Sequence, residues 1–335
     1  MLTTRKRLGW TLCSYGIGAG CLYWVFHDVS FSDLLRSTSA IAWGWLIPAV
    51  VLDLLVYACA GWEWHLLLLP AGRLSTRQAI HAVFAGRFAN DVLPVHAGYV
   101  IRIYLASRWM GKSVAAIISS LLIERLFDGL WLAVGIGCLI LFFPLPEDLR
   151  QAGTVLGLMI VAGAVILAWI VLRKREQDPA RTGGFYRWKL LAKISRFMNK
   201  LEIGLRSIGR SVLILAALGI SLLKLALQAL AFFSVLNAYD FGFSFWAKMV
   251  VFLVTYVGIS LPSTPASLGV FQLFCAAGLM HFGVAKPQAS GFALMAYVVL
   301  TAPLALAGLV ASAQSGLTLR QVRCEMKQWN NRHRS

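Results

Sequence analysis

Acidic residues are scarce in this chain. Among 335 residues there are 14 Asp and Glu against 31 Lys and Arg, and charged residues make up 13% of the total. Soluble domains carry about twice that share. Sequence motifs of common chemistry are missing as well. No G-x-x-x-x-G-K-[ST] occurs, so the chain is expected to have no ATPase of its own. The six cysteines, Cys13, Cys21, Cys59, Cys138, Cys275 and Cys324, form no C-x-x-C pair. They read as small core or lipid-facing residues rather than disulfides or metal ligands. His65, His81 and His281 are too dispersed for a metal site, and no cofactor is expected. No nucleophile–base pair emerges either, which argues against an enzyme.

Apolar sequence, by contrast, is abundant: 59% of residues are hydrophobic and the mean hydropathy is +0.72. A membrane-crossing helix needs about 20 apolar residues, and the chain supplies many such runs. The predicted fold is an all-α polytopic membrane protein with about six full transmembrane helices and two broken, re-entrant helical hairpins. Full spans are predicted at about 8–27, 41–62, 114–143, 152–172, 211–236 and 289–314. Arg5-Lys6-Arg7 before the first run resembles a signal peptide, but that run is long and lacks an A-x-A site, so it is read as a retained span. The net charge of +17 does not point to nucleic acid, because the basic residues lie in short loops and tails between apolar runs. That arrangement is the positive-inside signature.

Two proline-glycine breaks interrupt apolar helices, one in each half. The first is Leu93-Pro94-Val95-His96-Ala97-Gly98 and the second is Leu261-Pro262-Ser263-Thr264-Pro265-Ala266-Ser267-Leu268-Gly269. Backbone left unpaired in lipid costs several kcal/mol per group, so a break at that depth must be buried in protein or line a cavity. Paired breaks in corresponding places point to a transport site near the midplane. The single membrane domain divides into a first half at about 41–143, a basic loop at 173–210, a second half at about 211–314 and a tail at 315–335. With both termini in the cytoplasm, Arg73 and Arg77, Arg108 and Lys112, the 173–210 loop and the tail all fall inside. Glu147-Asp148 and Asp240 fall outside, and the two breaks open from opposite faces, as in an inverted-topology repeat. Within the loop, apolar residues from Trp188 to Ile208 alternate with lysines and arginines at helical spacing. This reads as a basic amphipathic helix on the cytoplasmic leaflet, held by anionic lipids, or as a cover for the bundle.

Charged residues at membrane depth need a reason. Arg87 and Arg102 bracket the first break beside Asn90, Asp91 and His96. They form either an anion pocket or a pair that snorkels to the interface. Glu124, Arg125 and Asp128 lie within one span, as a helix-pinning ion-pair set or a headgroup or proton site. Lys224 and Asp53 sit near the middle of their spans and are candidates to pair, with Lys224 alternatively contacting phosphate. Gly16, Gly18 and Gly20 suit close helix packing. Trp10, Trp43, Trp45, Trp62, Trp64, Trp109 and Trp246 lie near span ends, as an aromatic belt requires.

Taken in order, these elements resemble the flippase-like family that includes the membrane half of lysylphosphatidylglycerol synthases. The resemblance rests on FAGRFANDVLPVHAGYVIRIYLASRWMGKS, LLIERLFDG and GISLPSTPASLGVFQ. The matching positions are Asn90, Pro94, Gly98, Arg102, Glu124, Arg125, Asp128, Pro262, Pro265 and Gly269. Four positions depart from the family pattern: Tyr99 replaces an acidic residue, Ala266-Ser267 replaces Gly-Gly, and Gln272 replaces a glutamate. The last change implies that a proton carrier at that place is lost or moved. No aminoacyl-transferase domain is expected to follow, so the resemblance implies the translocation half alone. The implied cargo is an anionic phospholipid or a polyprenyl-phosphate-linked intermediate, with the bacterial inner membrane as location. Arg87, Arg102, Arg125 and Lys224 are the expected phosphate contacts, with Asn90, Glu124 and Asp128 beside them. The alternative is a non-catalytic scaffold for a glycosyltransferase or lipid-modifying enzyme.

Overall fold

A computed structural model describes residues 4–34, 41–70, 72–92, 97–111, 114–142, 150–151, 153–155, 157–159, 161–162, 211–260 and 264–315. The basic loop 173–210, Pro94, Pro262 and the tail after Ser315 lie outside them, as does most of the run expected to span at 152–172. The described residues are helical, with no strand among them. The principal helices are α1 (Thr4–Phe26), α2 (Leu46–Leu68, after a 3₁₀ turn at Trp43–Trp45), α3 (Thr76–Val92) and α4 (Ala97–Met110). They continue with α5 (Val114–Phe142), α6 (Ser211–Ala238), α7 (Phe245–Ser260), α8 (Val270–His281) and α9 (Lys286–Gln314).

Four stretches among the described residues are long and apolar enough to cross a bilayer: Trp43–Leu68, Ile117–Phe142, Val212–Ala238 and Lys286–Gln314. Around the two breaks the helices are shorter. α3 and α4 have 17 and 14 residues, and α7 and α8 have 16 and 12. At about 1.5 Å per residue none of these reaches the roughly 30 Å of a hydrocarbon core. Local chemistry sets their ends. Ser75 and Gln78 form a reciprocal capping box at the start of α3, with Ser75 N donating to Gln78 Oε1 at 3.0 Å and Gln78 N donating to Ser75 Oγ at 3.2 Å.

The chain gathers into two compact units, interleaved in sequence. Unit 2 comprises 62–79 and 103–222. Its centre is Trp64, fully buried, whose indole Nε1 donates to Ser120 Oγ at 3.0 Å. Leu67, Ile123 and Ala217 pack nearby with Leu66, Phe127 and Ile214 against them. The belt position expected of Trp64 is therefore corrected: α2 continues to Leu68, which carries Trp64 and Glu63 inward, and Glu63 is also fully buried.

Unit 1 comprises 1–61, 80–102 and 223–335. In it α8 packs against α7, α9 and α1. Phe232, Phe252 and Phe292 form an aromatic centre with ring centroids 5.9 Å apart for each contact of Phe232. Small residues let backbones approach, as in other membrane helices. A Cβ at Gly308 would lie 2.6 Å from the Phe84 carbonyl oxygen, so α9 and α3 touch there. Of the three glycines in α1, only Gly18 makes a close contact; a Cβ there would lie 2.5 Å from Thr264 Cγ2, whereas Gly16 and Gly20 face open space.

Candidate functional site

On either side of the first break, α3 and α4 pack closely together. Asn90 Oδ1 accepts a hydrogen bond from Gly98 N at 2.7 Å, which satisfies one of the unpaired amides at the start of α4. A Cβ at Gly98 would run into the Gly86 carbonyl oxygen, so the backbones of α3 and α4 nearly touch. Arg102 is buried and lies along Gly86, where an added Cβ would come 2.8 Å from Arg102 Cγ. Asn90 and Gly98 thus hold the hairpin closed, and the aliphatic part of Arg102 packs within it.

Arg87 points elsewhere. It lines a small cavity of about 70 Å³ in unit 1 with Asp53, Tyr57, Gln228 and Tyr297. That volume holds a few waters or a small polar group. The guanidinium carbon sits 5.6 Å from the Tyr57 ring centroid, in cation–π range. Arg87 Nε is 3.3 Å from Asp91 Oδ1, one helical turn on. Yet neither Arg87 Nε nor either Asp91 oxygen has a hydrogen-bond partner among the described residues. Asp53 is 6% exposed and lines the same wall. One cation is therefore set among two carboxylates, with hydrogen-bonding capacity left over. Buried polar groups in this condition are costly and mark places where a ligand or ion enters.

The second break forms part of the cavity wall through Ala266 and Ser267. Both have left-handed backbone, at φ 54° and 56°. Such a conformation costs a non-glycine residue about 1–2 kcal/mol. The turn is held by Thr264 Oγ1, which donates to Leu268 O at 2.6 Å, and by Tyr297, whose hydroxyl donates to Ala266 O at 3.2 Å. Gln272 is fully buried and its Oε1 accepts from Gly269 N at 2.7 Å, capping α8. A carboxylate there could accept the same bond; the amide does so without bringing a charge. In α9, Pro303 removes the hydrogen bond that the Val299 carbonyl would accept, within the run that supplies Tyr297, Leu300, Thr301 and Leu304 to the cavity.

The remaining charges lie apart from this cavity's wall. Glu124, in α5, is 3% exposed in unit 2. Arg125 and Asp128 pair at 3.3 Å on the same helix, with Arg125 more than half exposed. Lys224, in α6, is 7% exposed and belongs to unit 1. Sequence reasoning passed over Tyr57 and Tyr297. The available signal was a phenol placed mid-helix in an apolar run, since a buried tyrosine hydroxyl needs a partner.

Four stretches of bilayer length among the described residues, with shorter apolar helices beside the breaks, make this a multi-pass membrane protein. Residues 11–308 match the family described as the lysylphosphatidylglycerol synthase TM region, so the chain belongs to that family. It is also 23% identical over 312 residues to a protein described as a UPF0104 membrane protein from Methanothermobacter thermautotrophicus. That similarity covers 87% of this chain and 90% of the relative.

Proposed function

We propose that this protein moves an anionic phospholipid or a polyprenyl-phosphate-linked intermediate between membrane leaflets. The headgroup passes through the polar cavity while the hydrocarbon chains stay in lipid. The observation that carries this reading is Arg87, an arginine set among apolar helices in a cavity walled in part by a broken helix. An arginine fork matches phosphate geometry, and its charge persists without water. The charge balance adds a condition. Asp53 and Asp91 together outweigh Arg87, so an entering phosphate needs a proton or small cation on the carboxylates to avoid repulsion. This favours coupling to an ion over unassisted movement of an anion.

The test is reconstitution of the full chain into vesicles carrying labelled phosphatidylglycerol or a labelled polyprenyl phosphate, with exposure to an external quencher as readout. The protein is expected to accelerate exposure over empty vesicles, faster at acid pH, and Asp53→Asn is expected to flatten that pH dependence. No acceleration for either lipid, with or without a pH gradient, would sink the reading. Co-purification of a glycosyltransferase or lipid-modifying enzyme would then favour the scaffold alternative.

We further infer that the α3–α4 and α7–α8 hairpins are re-entrant and enter from opposite faces, with the termini on the cytoplasmic side of a bacterial inner membrane. The distribution of lysine and arginine supports this orientation. In a background without native cysteines, single cysteines at Arg77 and Asp240 should react with a membrane-impermeant reagent from opposite sides. Reaction from one side only would break the inverted arrangement.

A further inference from the structure

A second, larger cavity lies in unit 1, of about 650 Å³, within the roughly 300–1,000 Å³ usual for small-ligand sites. It opens where α6 ends and α2 and α7 begin. Trp45, Asn237, Asp240, Phe241, Phe243 and Lys248 contribute to its lining. Two apolar bilayer-length helices terminate here, and Trp43, Trp45 and Trp246 are exposed at 61%, 46% and 37% around this end. Exposed tryptophans at helix ends mark the headgroup level of a bilayer.

Opposite charges line the cavity without neutralising each other. Lys248 Nζ donates to the neutral Asn237 Oδ1 at 2.5 Å, which leaves two of its three donors open. The Asp240 carboxylate makes no hydrogen bond or ion pair among the described residues, and it is presented on left-handed backbone at φ 47°. Aspartate tolerates that conformation better than most residues, but the strain is still a cost, and such costs gather at binding sites. The walls are built and stiff. Ala42 N donates to Ala238 O at 2.9 Å, tying the start of the α2 region to the end of α6. Tyr239, Phe241 and Phe243 stack in series, with centroids 5.6 and 5.5 Å apart.

We propose that this cavity binds the headgroup of a zwitterionic phospholipid, with the phosphate at Lys248 and the ammonium at Asp240 beside the aromatic wall. A separated pair of opposite charges suits a ligand carrying both signs, and aromatic faces add attraction for an ammonium group. An anionic headgroup with no ammonium meets Lys248 but also faces Asp240. The inference concerns binding alone, so it stands or fails independently of lipid transport.

Native mass spectrometry of the full chain with an equimolar mixture of phosphatidylethanolamine and phosphatidylglycerol tests it. The protein is expected to retain phosphatidylethanolamine over phosphatidylglycerol by about tenfold, as one charge-assisted contact allows. Asp240→Asn, which tolerates the same backbone, should bring the preference close to one. Lys248→Gln, which keeps a donor for Asn237, should weaken retention of both lipids. No preference in the unaltered chain, or an unchanged preference in Asp240→Asn, overturns the proposal. So does displacement of the lipid by equimolar soluble glycerophosphoethanolamine, which would make this a site for a soluble metabolite.

Discussion

Replacing Arg87 with alanine is expected to slow transbilayer movement of an anionic lipid by about 10- to 100-fold, the range set by losing one buried, charge-assisted contact to phosphate. Removing the guanidinium also takes the cation away from Asp53 in the cavity wall and from Asp91 one turn along α3, so a loss of stability must be separated from a loss of function. Two further variants make that separation. Arg87→Lys keeps the charge but gives up the planar fork, and should fall between the original chain and Arg87→Ala. Arg87→Ala with Asp91→Asn removes the carboxylate paired with Arg87 along with the guanidinium, and should recover thermal stability without recovering lipid movement. If that double variant moves lipid at the original rate, Arg87 is a packing element and phosphate recognition lies elsewhere.

The remaining arginines differ from Arg87 in kind. Arg102 lies along Gly86 in the wall of the first hairpin, and Arg125 is engaged by Asp128. Sequence places Arg87 and Arg102 symmetrically about one break, but only Arg87 lines the cavity. Helical periodicity accounts for this. Fifteen positions and a chain reversal separate the two, so sequence distance says nothing about a shared direction. The same limit applies to Asp53 and Lys224, both in the middle of an apolar run: Asp53 lines the cavity, and Lys224 is not part of its wall.

Helix extents were the most legible feature. Apolar runs and their polar or proline ends placed α5 to within a residue at its start and end, and α6 to within two. Both breaks were visible because proline and glycine disrupt the periodic pattern. Burial was less legible. Trp62-Glu63-Trp64-His65 looks like an interfacial belt, yet helix α2 runs past it, leaving Trp62 half exposed while Glu63 and Trp64 are fully buried. In a helix, neighbours point about 100° apart, so one short aromatic cluster serves two environments. The cavity at the end of α6 was not legible, because it is made by two stretches distant in sequence, 42–45 and 236–248, and by a left-handed turn at Asp240.

The second break should respond with opposite signs to two small substitutions. Gly269→Ala is expected to destabilise the protein by roughly 3 kcal/mol, read as a lower apparent midpoint of thermal unfolding in detergent. Gly269 has φ 88°, where an L side chain is strained, and a Cβ there would meet the Gly18 carbonyl oxygen, with the Gly18 carbonyl carbon and Cα both 3.0 Å away. Both obstacles are backbone, so no side-chain rotation relieves them. Ser267→Gly is expected to act the other way, raising stability by about 1 kcal/mol, because Ser267 holds left-handed backbone that glycine adopts without penalty. Ala266→Gly should behave alike, with Tyr297 still donating to the carbonyl at 266. If the turn is a passive connection, those gains come without effect on lipid movement. If instead the strain at 266 and 267 keeps the cavity wall ready to change shape, the stabilised variants should move lipid more slowly than the original chain. Measuring midpoint and transport rate on the same preparations decides between a fixed wall and a gate, and a rise in midpoint with an unchanged rate rules out the gate.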